Sequence, residues 1–229
     1  MSKKIVTFSF DDGVKQDIRV VEILNKYGLK GTFNINTGIA SETNKWVYKG
    51  VDVMRINATD MRDLYNGHEL AAHALTHCDL CKQEKKTIYN EIYRDKCNIE
   101  DWFGEEVVGM AYPYGTYNDL VVDVARRCGI KYARTVESTF SFLPQNDLLR
   151  FRPTCHFNDM RIKEIVKRFL SIESDETQLL YLWGHSYELD GDNAWGTFEE
   201  ICKILGFSSN VEFMTNKSAF SSMGFFRLG

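Results

Sequence analysis

Short apolar runs alternate with segments of helical period along almost the whole chain, and that alternation leaves few folds open. Residues 4–10, 31–36, 69–72, 107–111, 132–135, 178–183 and 211–214 read as strands, β-branched or aromatic and in places unbroken in their apolar character. Between them, residues 16–27, 59–66, 84–103, 117–128 and 194–205 carry apolar side chains at helical spacing, as in Ile18, Val21 and Leu24 or Ile88, Ile92 and Ile99. Another helix, with Ile162, Ile165, Val166 and Phe169, is expected to start from Asn158 as its cap, and Thr59 is expected to cap residues 59–66. Gly28, Gly67, Gly104 and Gly206 stand just past helix ends. Strands apolar on both faces belong to parallel sheets covered by helices. The expected fold is therefore α/β, a single-domain distorted barrel of about seven or eight strand–helix units over residues 1–229. Residues 37–56 carry no such pattern and are expected to be a long irregular loop, a candidate wall of a binding site.

Charge and composition narrow the partners. With 28 Lys+Arg against 32 Asp+Glu the chain has no basic excess to neutralise phosphates, which argues against nucleic acid. No apolar run approaches the roughly 20 residues that span a bilayer, so no membrane partner is expected. Met1-Ser2-Lys3-Lys4 leads directly into the first strand, so no signal peptide is expected. The six cysteines (78, 81, 97, 128, 155 and 202) are scattered, several within helical segments where a thiol is a small hydrophobe. A cytoplasmic chain with reduced thiols is the expectation.

Residues capable of chemistry gather at strand ends, where parallel α/β proteins build their sites. Asp11-Asp12-Gly13 closes the first strand. Neighbouring strand side chains point to opposite faces, so both carboxylates serve one site only if the chain turns there, which Gly13 permits; the plainer reading is that they cap a helix. His73 and His77 follow the strand 69–72, four residues apart, and on a helical turn would share a face. Two imidazoles and a carboxylate can hold one divalent metal with a position left open for water. Pro113-Tyr114-Gly115 is a turn that could aim a backbone N–H at an oxyanion, or simply a turn. His185 ends the apolar strand 178–183 on the same rim, although alone it reads as structural.

Thr7-Phe8-Ser9-Phe10-Asp11-Asp12-Gly13, the run from Gly67 through His73 and His77 to Leu80, Tyr112-Pro113-Tyr114-Gly115 and Trp183-Gly184-His185 resemble, in order, the successive motifs of the polysaccharide deacetylase family, the NodB-like carbohydrate esterases. The resemblance covers about residues 4–215. It implies a distorted barrel and metal-dependent removal of an acetyl group from an N-acetylated sugar, oligosaccharide or polysaccharide. By position, Asp12, His73 and His77 would hold the metal, zinc first and cobalt or nickel as alternatives. Asp11 would be the general base, His185 the general acid, and Tyr114 would offer its N–H to the oxyanion, with Trp183 walling the acetyl pocket.

Three departures accompany the match. Ala111 stands where the family places an arginine before the Pro-x-Gly turn, Ala74 where a hydroxyl residue is usual, and no Asp-x-x-Asp-Trp occurs between Leu143 and Asp159 to support the catalytic histidine. Arg134, at the end of the strand 132–135, could bring a guanidinium to Asp11 in place of the missing one; the alternative is a surface pair with one of the 32 acids. Cys78-x-x-Cys81 lacks a second pair and reads as incidental, His68 as structural, and His156 as lying outside the cleft. Hydrolysis of another small amide, a ureide or formamide, and a non-catalytic carbohydrate- or metal-binding relic remain as alternative functions. Retention of Asp11 and His185 argues against the relic.

Overall fold

The computed structural model describes residues 3–227. In chain order its elements are β1 (Lys4–Asp11), α1 (Asp17–Lys26), β2 (Gly31–Ile35), β3 (Lys45–Tyr48), β4 (Val51–Met54), α2 (Ala58–Leu64), β5 (Glu69–Ala72), α3 (Lys85–Phe103), β6 (Gly109–Ala111), α4 (Asp119–Arg127), β7 (Tyr132–Arg134), β8 (Cys155–His156), α5 (Ile162–Ser171), β9 (Gln178–Gly184), α6 (Ser186–Gly191), α7 (Trp195–Gly206), β10 (Glu212–Phe213) and α8 (Asn216–Ser222). The main sheet runs β7-β6-β5-β2-β1-β9-β8, every neighbour parallel, with β10 beside the first half of β1 and β2 beside the second. It curls back on itself. Phe151 bridges β7, donating to Ala133 O at 3.0 Å and accepting from Thr135 N–H at 2.8 Å, and Thr154 N–H then reaches Tyr181 O on β9 at 3.0 Å. The distorted α/β barrel read from the alternation is the fold.

Strand alternation sets what faces where. Along β1, Val6, Phe8 and Phe10 point outward under the helices, with Phe8 and Phe10 edge-on to Phe198 of α7 at 6.0 and 5.9 Å. Ile5, Thr7, Ser9 and Asp11 point into the barrel. The interior is closed at its amino end by rings and a hydrogen-bonded polar plug. Thr7 donates to Asn216 Oδ1 at 2.7 Å, Asn216 donates to the Tyr181 hydroxyl at 2.6 Å, and Glu69 accepts from the Tyr132 hydroxyl at 2.7 Å and from Lys217 N–H at 2.8 Å. Access to the barrel axis is left at the carboxyl rim.

Residues 37–56 differ from expectation. They fold into the antiparallel hairpin β3–β4, turned by Lys49 and Gly50, both at positive φ (48° and 83°). Val47 and Tyr48 are not followed by the Asn-Gly or Asp-Gly pair that marks such a turn, and its short strands lie outside the barrel, so no long apolar run betrays it. Two caps also move. α2 starts after Asn57 instead of Thr59, and α5 starts at Ile162, because residues 158–161 form a separate turn in which Asp159 accepts from Arg161 N–H. Among the described residues no helix is long and apolar enough to cross a membrane, and all six cysteines are free thiols.

Candidate active site

Asp11 ends β1 facing the barrel axis, and Asp12 follows at φ 84° with Gly13 at φ 62°. This left-handed turn swings the second carboxylate to the side of the first, which an extended strand would forbid. Asp11 is buried. One of its oxygens accepts from Asn34 Nδ2 at 2.8 Å; the other pairs with the Arg134 guanidinium. Burial disfavours its charge, but Arg134, His73 and His185 together hold its carboxyl at about 2. Arg134 is 1% exposed, donates to Thr135 O at 3.2 Å and lies 4.4 Å from the centre of the Trp183 ring. The structure thus places this arginine against Asp11 and not on the surface.

Asp12 Oδ1 lies 3.2 Å from Arg55 Nη2 and 3.5 Å from His77 Nε2. Arg55 was not foreseen. It follows β4, where the hairpin strand docks back on the Asp12–Lys15 turn through Lys15 N–H to Met54 O and Ile56 N–H to Gly13 O, both 2.9 Å. Burial opposes the Asp12 charge, while the nearby histidines and Arg55 hold its pKa below the ordinary value.

His73 and His77 do not sit on a helix. Ala74 (φ 60°) and His77 (φ 57°) are both left-handed, and the segment is a knotted turn after β5 whose imidazole centres lie 4.8 Å apart. Buried donors and acceptors replace the helical hydrogen bonds. Asn36 donates to the His73 and Ala74 carbonyls, Asp95 accepts from His73 N–H at 2.9 Å, Glu91 accepts from Thr76 N–H and hydroxyl, each at 2.9 Å, and Gly38 N–H reaches Leu75 O at 2.9 Å. His73 Nδ1 is 2.9 Å from Ala111 O. A carbonyl only accepts, so Nδ1 carries the proton and Nε2 presents a lone pair. Burial keeps His73 neutral, down to about 4, and pushes His77 down as well.

Pro113-Tyr114-Gly115 is a tight turn with Tyr114 at φ 58°; its internal hydrogen bonds come from Gly115 N–H to Tyr112 O (2.9 Å) and Thr116 N–H to Pro113 O (3.2 Å). The exposed Tyr114 ring packs edge-on to His77 at 4.6 Å. Across the mouth, His185 joins β9 to α6 with Nε2 at 3.8 Å from Asp11 Oδ2 and 4.0 Å from Asp12 Oδ2. Burial works against its charge, but Glu188, Asp11 and Asp12 push its pKa up to about 9. Asp11, Asp12, His73, His77, Tyr114, Trp183 and His185 line one cavity of about 290 Å³, together with Tyr112, Gly115, Val136 and Tyr187. Tyr187, also unforeseen, leans on the hairpin through Trp46 and Tyr48 at 5.5 and 5.1 Å. The residues 37–56 thus support the wall instead of forming it.

Of the remaining sequence candidates, His68 bonds Gly31 N–H at 3.1 Å, and its ring is edge-on to Phe33. His156 lies outside the cavity but is tied to it, 2.8 Å from Glu188, whose other oxygen is 3.3 Å from His185 Nδ1. Among the described residues two groups have the donors and spacing to hold a cation, Asp12-His73-His77 and His156-His185-Glu188.

The polysaccharide deacetylase family model matches residues 1–133, more than half of the sequence, and the chain belongs to that family. It is 26% identical over 124 residues to the peptidoglycan-N-acetylglucosamine deacetylase PgdA of Listeria monocytogenes, a match covering 53% of this chain and 24% of the relative. It is 26% identical over 190 residues to the poly-β-1,6-N-acetyl-D-glucosamine N-deacetylase of Staphylococcus aureus, covering 76% of this chain and 62% of the relative. Less than two thirds of either relative is therefore spanned. The Xyl-CE4 domain of a multidomain xylanase from the hindgut metagenome of Trinervitermes trinervoides has the same fold, with TM-score 0.63 and 19% identity over 97% of this chain and 92% of that one.

Proposed function

We propose that this chain is a metal-dependent hydrolase that removes acetyl groups from an N-acetylated sugar or its polymer, with residues 1–229 as one catalytic domain. The donor set supports a metal: one carboxylate held ionised and two imidazoles held neutral, with their ligating atoms clustered at one cavity wall. Nitrogen and oxygen donors of this kind suit zinc, and also cobalt or nickel. The chemistry supplied by a cation bound to Asp12, His73 and His77 is polarisation of the amide carbonyl and acidification of water.

The chain's own groups then divide the proton traffic. Asp11, fixed by Asn34 and Arg134, accepts the proton of the attacking water as its oxygen bonds to the acetyl carbon. Tyr114, on its left-handed turn, offers its N–H to the negative charge that grows on the carbonyl oxygen. His185, protonated at neutral pH, gives its proton to the nitrogen as the carbon–nitrogen bond breaks, so that a neutral amine and acetic acid leave, and the acid ionises to acetate in water. Trp183 backs the cavity, and the Tyr114 and Tyr187 rings flank its mouth where a sugar would lie.

The observation that carries this reading is the facing of Asp11 and His185 at 3.8 Å beside the donor triad, in surroundings that favour a charged carboxylate and a charged imidazole. A binding protein needs no such pair. Acetate release from N-acetylglucosamine oligomers, before and after chelator treatment and again after zinc is restored, tests it. Release that disappears and returns supports the proposal; no release from any N-acetyl sugar, or release indifferent to chelation, contradicts it.

A further inference from the structure

His185 has a partner that the sequence reading did not identify. The chain turns from β9 into α6 at His185, and Glu188, in the first turn of α6, folds back so that Oε2 accepts from His185 N–H at 3.0 Å while Oε1 stands 3.3 Å from His185 Nδ1. His156 approaches the same carboxylate from β8, Nε2 to Oε2 at 2.8 Å. Its tautomer follows from its other nitrogen, because Nδ1 accepts the Asn158 N–H at 3.1 Å and Nε2 must then carry the proton toward Glu188. The approach is close: a Cβ on Gly184 would come within 2.9 Å of His156 Nε2 and 2.4 Å of the Phe157 ring. The two aspartates of residues 143–159 are engaged with arginines, Asp147 with Arg150 at 3.0 Å and Asp159 with Arg161 at 2.9 Å.

We propose that Glu188, held on its far side by His156, is the positioning residue of His185, and that the line His156, Glu188, His185 aims His185 Nε2 at the reacting centre. The proposal rests on His185 being the general acid. Nδ1 is buried with the Glu188 carboxylate 3.3 Å away and no other polar partner among the described residues, which leaves Nε2 as the group facing the cavity. His156, with Nε2 at 2.8 Å from Oε2, is the second contact that holds the carboxylate in place. The support that Asp-x-x-Asp-Trp would bring from residues 143–159 thus comes from a His-x-x-Glu spacing on another element, with a histidine behind it.

Glu188→Gln separates this role from helix capping, because the amide oxygen can still accept the His185 N–H but carries no charge. The variant is compared with wild type on an N-acetylglucosamine oligomer and on 4-nitrophenyl acetate, whose leaving group departs without a proton. The expected result is a kcat loss of roughly 100-fold on the amide and under about 3-fold on the ester, with metal content and KM unchanged. His156→Gln, which leaves the cap of α6 untouched, should lose about 10-fold on the amide with the same sparing of the ester. Equal losses on both substrates, or none on the amide in either variant, would overturn the proposal while leaving the deacetylase reading standing. A wild-type protein that binds metal but releases no acetate from the amide removes that reading, and this one with it.

Discussion

The turn that carries His73 and His77 is gripped largely through its peptide groups, whereas the Asp11 and His185 side chains have charged side chains against them. Around the histidine pair, Ala111 O fixes one ring, and Asn36, Asp95 and Glu91 grip the turn by its peptide groups. Burial there outweighs the pull of Asp11 and Asp12 toward an imidazolium and keeps both rings below the ordinary value. On the opposite side Arg134 lies on Asp11 and Glu188 on His185, and each partner favours the charged form. The contrast matches the work proposed for each side. A ligand must offer a lone pair, so its surroundings should not stabilise a proton; an acid or base must hold a charge in a dry cavity, so it needs an ionic neighbour.

Removing an imidazole strikes this contrast hardest. His73→Ala and His77→Ala should lose bound metal by elemental analysis and fall to background acetate release; retention of full metal by both would show that the neutral side is not the ligand side. On the charged side, Arg134→Met should keep its metal but lose roughly 100-fold in kcat. It should also lose about 3–5 kcal/mol of stability at neutral pH, because a buried carboxylate is left unpaired. Unchanged turnover would detach Arg134 from the chemistry. Asp95→Asn is a milder probe of the neutral side. An amide cannot accept all three of its present donors, Thr37 N–H, the Thr37 hydroxyl and His73 N–H, so metal affinity should fall about 10- to 100-fold in a titration. An unchanged affinity would mean the turn is rigid without it.

The smallest effect expected is on the pH dependence of stability in metal-stripped protein. Above the ordinary histidine value of 6.5, His73 and His77 are neutral in both folded and unfolded chains and contribute no slope. His185 still binds a proton when folded, up to about 9, but not when unfolded. Its stabilisation is therefore complete below 6.5 and lost as pH rises toward 9. Asp17 and Asp95, pushed up to about 7 by burial, contribute in the same direction and are spent earlier. Thermal unfolding should show stability declining across this range, and His185→Gln should flatten the upper part. A decline that His185→Gln leaves unaltered would place the proton elsewhere.

Strand ends explain why much of the site is legible in the sequence. In a parallel barrel the residue after each apolar run lands on one rim, so Asp11, Asp12, His73, Tyr114 and His185 could be gathered from their positions alone. Arg134 could be gathered in the same way. The helical geometry assumed for His73 and His77 was wrong because local spacing does not report left-handed residues such as Ala74, which long-range bonds from Asn36, Asp95 and Glu91 sustain. Arg55 arrives from beyond a hairpin that has no marked turn, and nothing near it in sequence points to Asp12. Asn34 and Asn36 did leave a trace, as buried polar residues on either side of Ile35 at the end of a strand buried throughout. Glu188 left one too, three residues after His185, but a glutamate opening a helix is common enough to pass as a cap.

The adjacent carboxylates of Asp11 and Asp12 bring the contrast to a single peptide bond. Elemental analysis of Asp11→Asn and Asp12→Asn, with acetate release measured on the same samples, asks whether neighbours in sequence belong to different sides of the site. The account predicts that both variants lose turnover while only Asp12→Asn loses metal. Metal lost from Asp11→Asn, or kept in full by Asp12→Asn, would contradict it.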